Sequence, residues 1–303
     1  MHESWERQRR ELDSYNTFFS AITGEVTNEG FHELGFRYVG RFQRIRDERT
    51  GVQPAPDFVL YNGRILLLAE VKSGWNINPG HVEQMEECDE VSIEAAREFL
   101  DATPIESEGL DPGSLTEVQP FIVYYEDFIE ECREQPACAD ALDELLEVTA
   151  VATQRKGGSL QLEGGVVYDD GFGERLADGI SLPSAPPKNV FLTEGMEPEC
   201  LAFSVCYDLV LNSLGTGRVT LFPSDVANHY LNRELPLSRV ERVLEFLNDA
   251  GACRSLEEGG YEFTRGHLRN IVGIEEKLAE KPVDEWLGEE AGEDGQSSIG
   301  DFL

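Results

Sequence analysis

Apolar residues first recur at helical spacing over residues 4–34, at Trp5, Leu12, Tyr15, Phe19, Ile22 and Val26. Gly24 and Gly30 interrupt the run, and Gly35 is placed to stop its last turn. The pattern then changes. Phe36 to Ile45 reads as a strand and 46–53 as a polar loop. Pro56 to Tyr61 and Arg64 to Val71 read as two strands around Asn62-Gly63, a strong hairpin signal. Helical spacing returns over 79–101, with Val82, Met85, Val91, Ala95 and Phe99 as its stripe. After a loop at 102–117, Gln119 to Tyr125 reads as a strand and 126–156 as one or two helices. Helix, three strands, helix, strand is an α/β order.

From 157 to 198 the periodicity dissolves into Gly- and Pro-rich sequence, so a domain boundary is expected there. Beyond it, 199–214, Pro223 to Asn232 and Leu237 to Ala250 read as helices. Cys253 to Thr264 reads as a hairpin turning at Glu258-Gly259-Gly260. The expected division is a first domain over 1–160, a connector over 161–198, a second domain over 199–272 and an acidic tail over 273–303.

Charge qualifies this picture. The chain of 303 residues carries a net charge of −34, from 59 acids against 25 bases. Only five of those bases are lysines: Lys72, Lys156, Lys188, Lys277 and Lys281. Acid spread through every segment, with little lysine, is the surface of a protein adapted to molar cytoplasmic salt, where screening acts over about 3 Å. Global charge then says little about a nucleic-acid partner, and local charge must be read instead. Residues 31–75 hold seven bases and five acids, a net +2. The six cysteines form no CxxC pair, so all six are expected to be scattered buried thiols in a reducing cytoplasm. The N-terminal residues do not read as a signal peptide, and no apolar run is long enough to span a membrane.

A two-residue Asn62-Gly63 loop would pair Tyr61 with Arg64. Asp57 would then face Leu68, with Glu70 as its diagonal neighbour and Lys72 further along the same face. Charged groups on so apolar a hairpin are costly unless paired or bound to metal. Two carboxylates offer hard oxygen ligands for Mg²⁺ or Mn²⁺. Lys72 would orient the water or offset developing charge.

Pro56-Asp57 followed by Glu70-Val71-Lys72 on the next strand resembles the PD-(D/E)XK, or restriction-endonuclease-like, nuclease superfamily, over roughly residues 14–125. The resemblance implies a Mg²⁺-dependent nuclease. Asp57, Glu70 and the carbonyl of Val71 would be its metal ligands, and Asp57, Glu70 and Lys72 its catalytic residues. Some members add a glutamate from the first helix, here Glu25, Glu29 or Glu33, and some a glutamine on the helix after the motif, here Gln84. The chain departs from the branch whose cysteines hold an iron–sulfur cluster.

Residues 199–266 resemble a winged helix, which implies DNA contact through Arg239 and Arg242, three apart on one face of the expected recognition helix, with Arg254 and Arg265 bracketing the wing. Seven arginines and ten acids make 199–272 only mildly acidic. Glu241, Glu245 and Asp249 on the same helix favour the other use of such a domain, protein contact or homodimerisation. Finally, residues 296–303 resemble the clamp-binding peptide of sliding-clamp (PCNA-like) partners, with Gln296, Ile299, Phe302 and Leu303 at its positions. One 3₁₀ turn would put Ile299 and Phe302 on one side as an apolar plug.

These readings combine into a cytoplasmic DNA nuclease of repair or replication, recruited by the sliding clamp. Its rivals are a non-catalytic winged-helix regulator and a defence endonuclease. The clamp reading carries its own test. High salt weakens phosphate contacts but not apolar burial, and a tether supplies roughly millimolar effective concentration. Deleting 296–303 should leave intrinsic cleavage near normal at low salt and strongly reduce clamp-stimulated cleavage at molar salt. Equal stimulation of both forms at both salts would remove the clamp reading.

Overall fold

The computed structural model describes residues 3–23, 30–74, 76–105, 109–125, 128–155, 158–182, 198–211, 213–230, 235–280 and 283. It is mixed α/β. The chain divides into two compact units, one of residues 13–187 and one combining 1–12 with 188–303.

The first unit is a seven-stranded sheet in sequential order, β1 (Arg37–Gly40), β2 (Phe58–Tyr61), β3 (Ile65–Lys72), β4 (Glu117–Tyr125), β5 (Ala150–Arg155), β6 (Ser159–Gly165) and β7 (Ile180–Ser181). The pairs β3–β4 and β4–β5 are parallel and the rest antiparallel. Parallel neighbours need crossovers, which α2 (Pro79–Asp89) with α3 (Ile93–Asp101), and α4 (Phe128–Arg133) with α5 (Pro136–Val148), supply. These helices cover one face, where Val59, Leu66, Leu68, Ile122 and Tyr124 meet Val82, Met85, Ala96 and Leu142. The other face carries Phe58 and Phe121 against Phe18 of α1 (Glu3–Thr23) and Phe172 of α6 (Asp170–Asp178). Burial on both faces explains the unbroken apolar run of β3.

Several boundaries differ from the sequence reading, each for a local reason. Helix α1 is described to Thr23, and Phe31 N–H bonds back to its Ala21 carbonyl at 3.0 Å. A Cβ on Gly30 would lie 2.1 Å from that carbonyl oxygen, so only glycine fits there. Strand β1 ends at Gly40 rather than Ile45, because Phe42 takes a left-handed backbone (φ 51°) that turns the chain out of the sheet. The expected single helix over 79–101 is two. Ser92 caps the second by accepting from Ala95 N–H. The connector placed at 161–198 is corrected most. Strand β6, α6 and β7 complete the sheet as far as Ser181. Thr149 is already extended, and 150–155 is strand rather than helix.

Between β1 and β2, residues 42–56 form an extended arm. Phe42, Ile45 and Asp47 donate N–H bonds to the carbonyls of Pro56, Pro54 and Val52, all at 3.0 Å. Pro54 and Pro56 have no N–H to return, so no regular ladder forms. Asp47 pins the arm. Its Oδ1 accepts from Arg49 and Thr50 N–H, and its Oδ2 accepts from Ser92 N–H at 2.8 Å.

Cys132 and Cys138 are disulfide-bonded across the α4–α5 turn, with Cα atoms 5.2 Å apart. The expectation of six thiols is corrected accordingly, since that turn brings the pair within bonding reach. Cys88, Cys200, Cys206 and Cys253 are buried thiols outside any disulfide.

The second unit contains α7 (Pro198–Ser204) running into a π-helical segment (Val205–Leu211), β8 (Arg218–Leu221), α8 (Pro223–His229), α9 (Leu237–Asp249), β9 (Arg254–Ser255), β10 (Tyr261–Thr264), α10 (Leu268–Val272) and α11 (Ile274–Glu280). Its three strands lie in the order β8-β10-β9, all antiparallel. The hairpin expected at 253–264 is present, and β8 is a strand the sequence pattern hid. Cys200, Phe203, Val243, Leu247 and Phe263 fill the core. Ile274, Leu278 and Val283 belong to that core too, so the tail does not begin at 273. Gln296, Ile299, Phe302 and Leu303 lie outside the described residues. No described helix is long and apolar enough to cross a membrane.

The Asp47 anchor gives a pH-dependent test. Hydrogen bonds from Ser92, and then from the Arg49 and Thr50 N–H groups, hold its carboxyl well below the usual carboxylate range. A depressed folded-state pKa stabilises the fold above the unfolded value, near 4, and that stability is lost as pH falls further. Asp47→Ala should therefore lower Tm at neutral pH, with the gap to wild type narrowing below about pH 4. Calorimetry across that range measures it, and a gap that does not narrow would rule out the anchor.

Candidate active site

The apolar β2–β3 hairpin presents its charged residues at one end. The loop is longer than the Asn62-Gly63 signal implied. Asn62 Oδ1 accepts from both Arg64 N–H (3.0 Å) and Ile65 N–H (2.7 Å), and Gly63 sits at φ 88°. Tyr61 therefore pairs with Leu66 and Phe58 with Ala69. The register is displaced by two residues from the expected one. An even displacement keeps every side chain on its expected face. Continued one residue beyond Phe58–Ala69, this register sets Asp57 opposite Glu70 rather than Leu68.

Both carboxylates are inside, Asp57 at 5 % exposure and Glu70 at 2 %. Asp57 Oδ2 accepts from Val71 N–H at 2.8 Å and its Oδ1 from the Tyr15 hydroxyl at 3.1 Å. Glu70 Oε2 accepts from Lys72 Nζ at 3.0 Å and its Oε1 from Gln84 Nε2 at 2.6 Å. Lys72 Nζ also donates to Gln84 Oε1 at 2.9 Å, which closes a three-residue ring. Beside it, His81 Nδ1 lies 2.9 Å from the buried Tyr124 hydroxyl, and Tyr124 pairs in register with Lys72. On the other side of Asp57, the Arg41 guanidinium stacks over Tyr15 (4.6 Å) and Phe42 (4.4 Å).

The electrostatics follow from burial. Desolvation, and next the charge of Asp57, push the Glu70 carboxyl well above its usual range, and Lys72 opposes this without cancelling it. Desolvation and then the Lys72 charge bring His81 down to about 4, so its imidazole is neutral at pH 7.

Asp57, Glu70, Val71 and Lys72 are thus brought together, and Gln84 joins them. Glu33 is exposed on the 30–35 turn, with no described hydrogen bond to the site, and Glu25 and Glu29 lie outside the described residues. Arg239 and Arg242 sit on α9 in the other unit, half-buried and already engaged. The sequence reading missed Tyr15, which it counted only as an apolar helix position, and His81. A signal for His81 existed: it lies three residues before Gln84, on the same face of α2.

The donor set suits a hard cation. Among the described residues no three His, Cys, Asp or Glu side chains converge, so two carboxylates and a main-chain carbonyl are what the site offers. Val71 N–H faces Asp57, and a strand residue directs its N–H and C=O to the same edge. The Val71 carbonyl therefore reaches the same rim as both carboxylates. Such a set leaves room for water and phosphate oxygens on Mg²⁺ or Mn²⁺. No family model, no curated protein and no solved structure matches the chain.

A raised folded-state carboxyl pKa makes stability greatest below the unfolded value and erodes it as pH rises. Glu70→Gln removes that charge. Without added metal it should raise Tm at neutral pH and flatten the fall of Tm between about pH 4.5 and neutrality. A variant with the wild-type pH slope would show that Glu70 is not the strained group.

Proposed function

We propose that this protein is a metal-dependent deoxyribonuclease that hydrolyses phosphodiester bonds at Asp57, Glu70 and Lys72. One observation carries the reading: two buried carboxylates stand opposite each other at the end of an apolar hairpin, with a hydrogen-bonded ammonium two residues along. A buried pair of like charges is costly, and a divalent cation held by Asp57, Glu70 and the Val71 carbonyl would relieve it. When bound, the ion supplies Lewis acidity toward the phosphate and acidifies the attacking water.

The chain's own residues do the rest. Tyr15 and Val71 N–H fix both oxygens of Asp57. Gln84 orients Glu70 and Lys72 at once. The Lys72 ammonium lies where it can orient the water or offset charge as the phosphorus–oxygen bond to the leaving group breaks. His81, neutral and held by Tyr124, stands within electrostatic reach of Lys72 without adding charge.

The second unit supports a winged-helix reading through its element order, α7-β8-α8-α9-β9-β10, and its strand order β8-β10-β9. Arg239 and Arg242 are half-buried with partners of their own, and Arg254 pairs with Glu262 at 2.9 Å. That engagement favours protein contact over phosphate contact for α9. A non-catalytic DNA-binding regulator is the rival reading, and recruitment by a sliding clamp through residues 296–303 is part of this proposal.

With Mg²⁺ or Mn²⁺ and single-stranded, duplex, flap and junction DNA as substrates, Asp57→Ala and Glu70→Ala should abolish cleavage while the fold survives. Lys72→Ala should reduce turnover by roughly 10²–10³-fold and still bind metal. Chelation should stop the wild-type reaction. Full activity in any of the three variants would overturn the assignment.

A further inference from the structure

The arm over residues 42–56 carries an unusual charge distribution. Side chains alternate along it as along any extended chain, so Ile45 and Asp47 are buried while Arg44, Arg46 and Glu48 face outward, with Arg49 exposed at the tip. Three exposed arginines stand there against one exposed glutamate. Acids outnumber bases in this chain by 59 to 25, and several arginines find a carboxylate. Arg64 does so with Asp169, Arg155 with Glu163, and Arg218 and Arg254 with Glu262. Arg44, Arg46 and Arg49 have no ion-pair partner among the described residues. Three neighbouring exposed cations, with Glu48 the one exposed anion among them, offer a surface to an external polyanion.

The arm is also rigid and correctly aimed. Its main-chain bonds to Pro56, Pro54 and Val52, and the Asp47 contacts to both its tip and Ser92, fix its course without using the three guanidiniums. Its base is the left-handed turn at Phe42, a sparsely populated conformation that persists where surrounding structure enforces it. Its return strand leads directly through Pro56 into Asp57. Arg44 and Arg46 are two extended residues apart, roughly 6.6 Å, which matches the step between successive phosphates of a nucleic-acid strand.

We propose that Arg44, Arg46 and Arg49 grip the phosphate backbone of the DNA strand and lead it to the Asp57–Glu70 site. The proposal rests on the nuclease reading for its occupant, and on the unpaired arginines for its location. Phosphates on this arm are held by charge alone, so the contact reads no sequence and weakens with salt.

The test uses the full chain without divalent metal, so that binding is separated from cleavage. Anisotropy of fluorescein-labelled DNA is followed for wild type, Asp57→Ala, the triple variant Arg44→Ala/Arg46→Ala/Arg49→Ala and the corresponding triple lysine variant. Binding is measured from about 0.1 M salt upward, with far-UV circular dichroism confirming the fold at each point. Losing three phosphate contacts should weaken binding at least about tenfold at low salt and make the slope of log affinity against log salt shallower by about 2–3. The lysine variant should stay within a few-fold of wild type, and Asp57→Ala should still bind. An alanine variant that matches wild type in affinity and slope overturns the arm proposal, even if the protein cleaves DNA. A wild type that binds through the arm but cleaves nothing with Mg²⁺ leaves the arm standing and removes the nuclease reading. A wild type that binds no DNA at any salt removes both.

Discussion

The structure around the site depends on one constraint: two carboxylates are kept in the apolar end of a hairpin. Left in water, Asp57 and Glu70 would cost nothing, but buried as they are, each oxygen needs a partner. The hydrogen bonds of the site serve that need. Tyr15 comes from the first helix, Val71 N–H from the strand itself, Lys72 from two residues on, and Gln84 from the helix that covers the face. Three separate stretches of chain are committed to holding two charges. The arrangement remains incompletely balanced, since desolvation and Asp57 outweigh Lys72 at Glu70. A site whose own residues leave negative charge in excess is predisposed to take up a cation, and that is the physical core of the nuclease proposal.

The sequence made this centre legible because its signals were local. Asp57, Glu70 and Lys72 stand out as charges in an apolar run, and the alternation of a strand settles which face they share. The register error at Asn62-Gly63 did no harm, because a two-residue slip preserves faces. What stayed hidden was non-local. Tyr15 reaches Asp57 across 42 positions and His81 reaches Tyr124 across 43, and no periodicity encodes such meetings. Strands β6 and β7 escaped because the Gly- and Pro-rich stretch that holds them mimics a linker, and β5 was read into the helical run ending at 156. Four of the sheet's last glycines, Gly158, Gly164, Gly165 and Gly179, adopt positive φ at bends rather than marking disorder. Gly165 shows why: a Cβ there would sit 2.0 Å from the Thr149 carbonyl oxygen. The disulfide was missed for a related reason, as its two cysteines meet only because α4 and α5 turn back on each other.

Charge acts differently on the two units. In the sheet unit the acidic surface coexists with a short basic arm whose exposed arginines have no ion-pair partner among the described residues. In the other unit the arginines near the small sheet are spent on neighbours, with Glu262 flanked by Arg218 and Arg254 and Arg265 bonded to the Gly215 carbonyl. Counting charges along the sequence marked both regions as less acidic than the chain as a whole. Pairing separates them, because a guanidinium already matched to a carboxylate offers little to a phosphate.

The parallel pairing of β3 with β4 has a kinetic consequence. Lys72 meets Tyr124 in register only after two helices and a loop have been laid between them. Every such closure costs loop entropy before it returns any contact, and topologies rich in them fold slowly. The hairpin carrying Asp57 and Glu70 can form early from local pairing, but the Tyr15 and Tyr124 contacts that bury it must wait for distant segments. The charged end of the hairpin is therefore wet during assembly and dries last, so that its carboxylates enter the protein interior only when their partners are already in place.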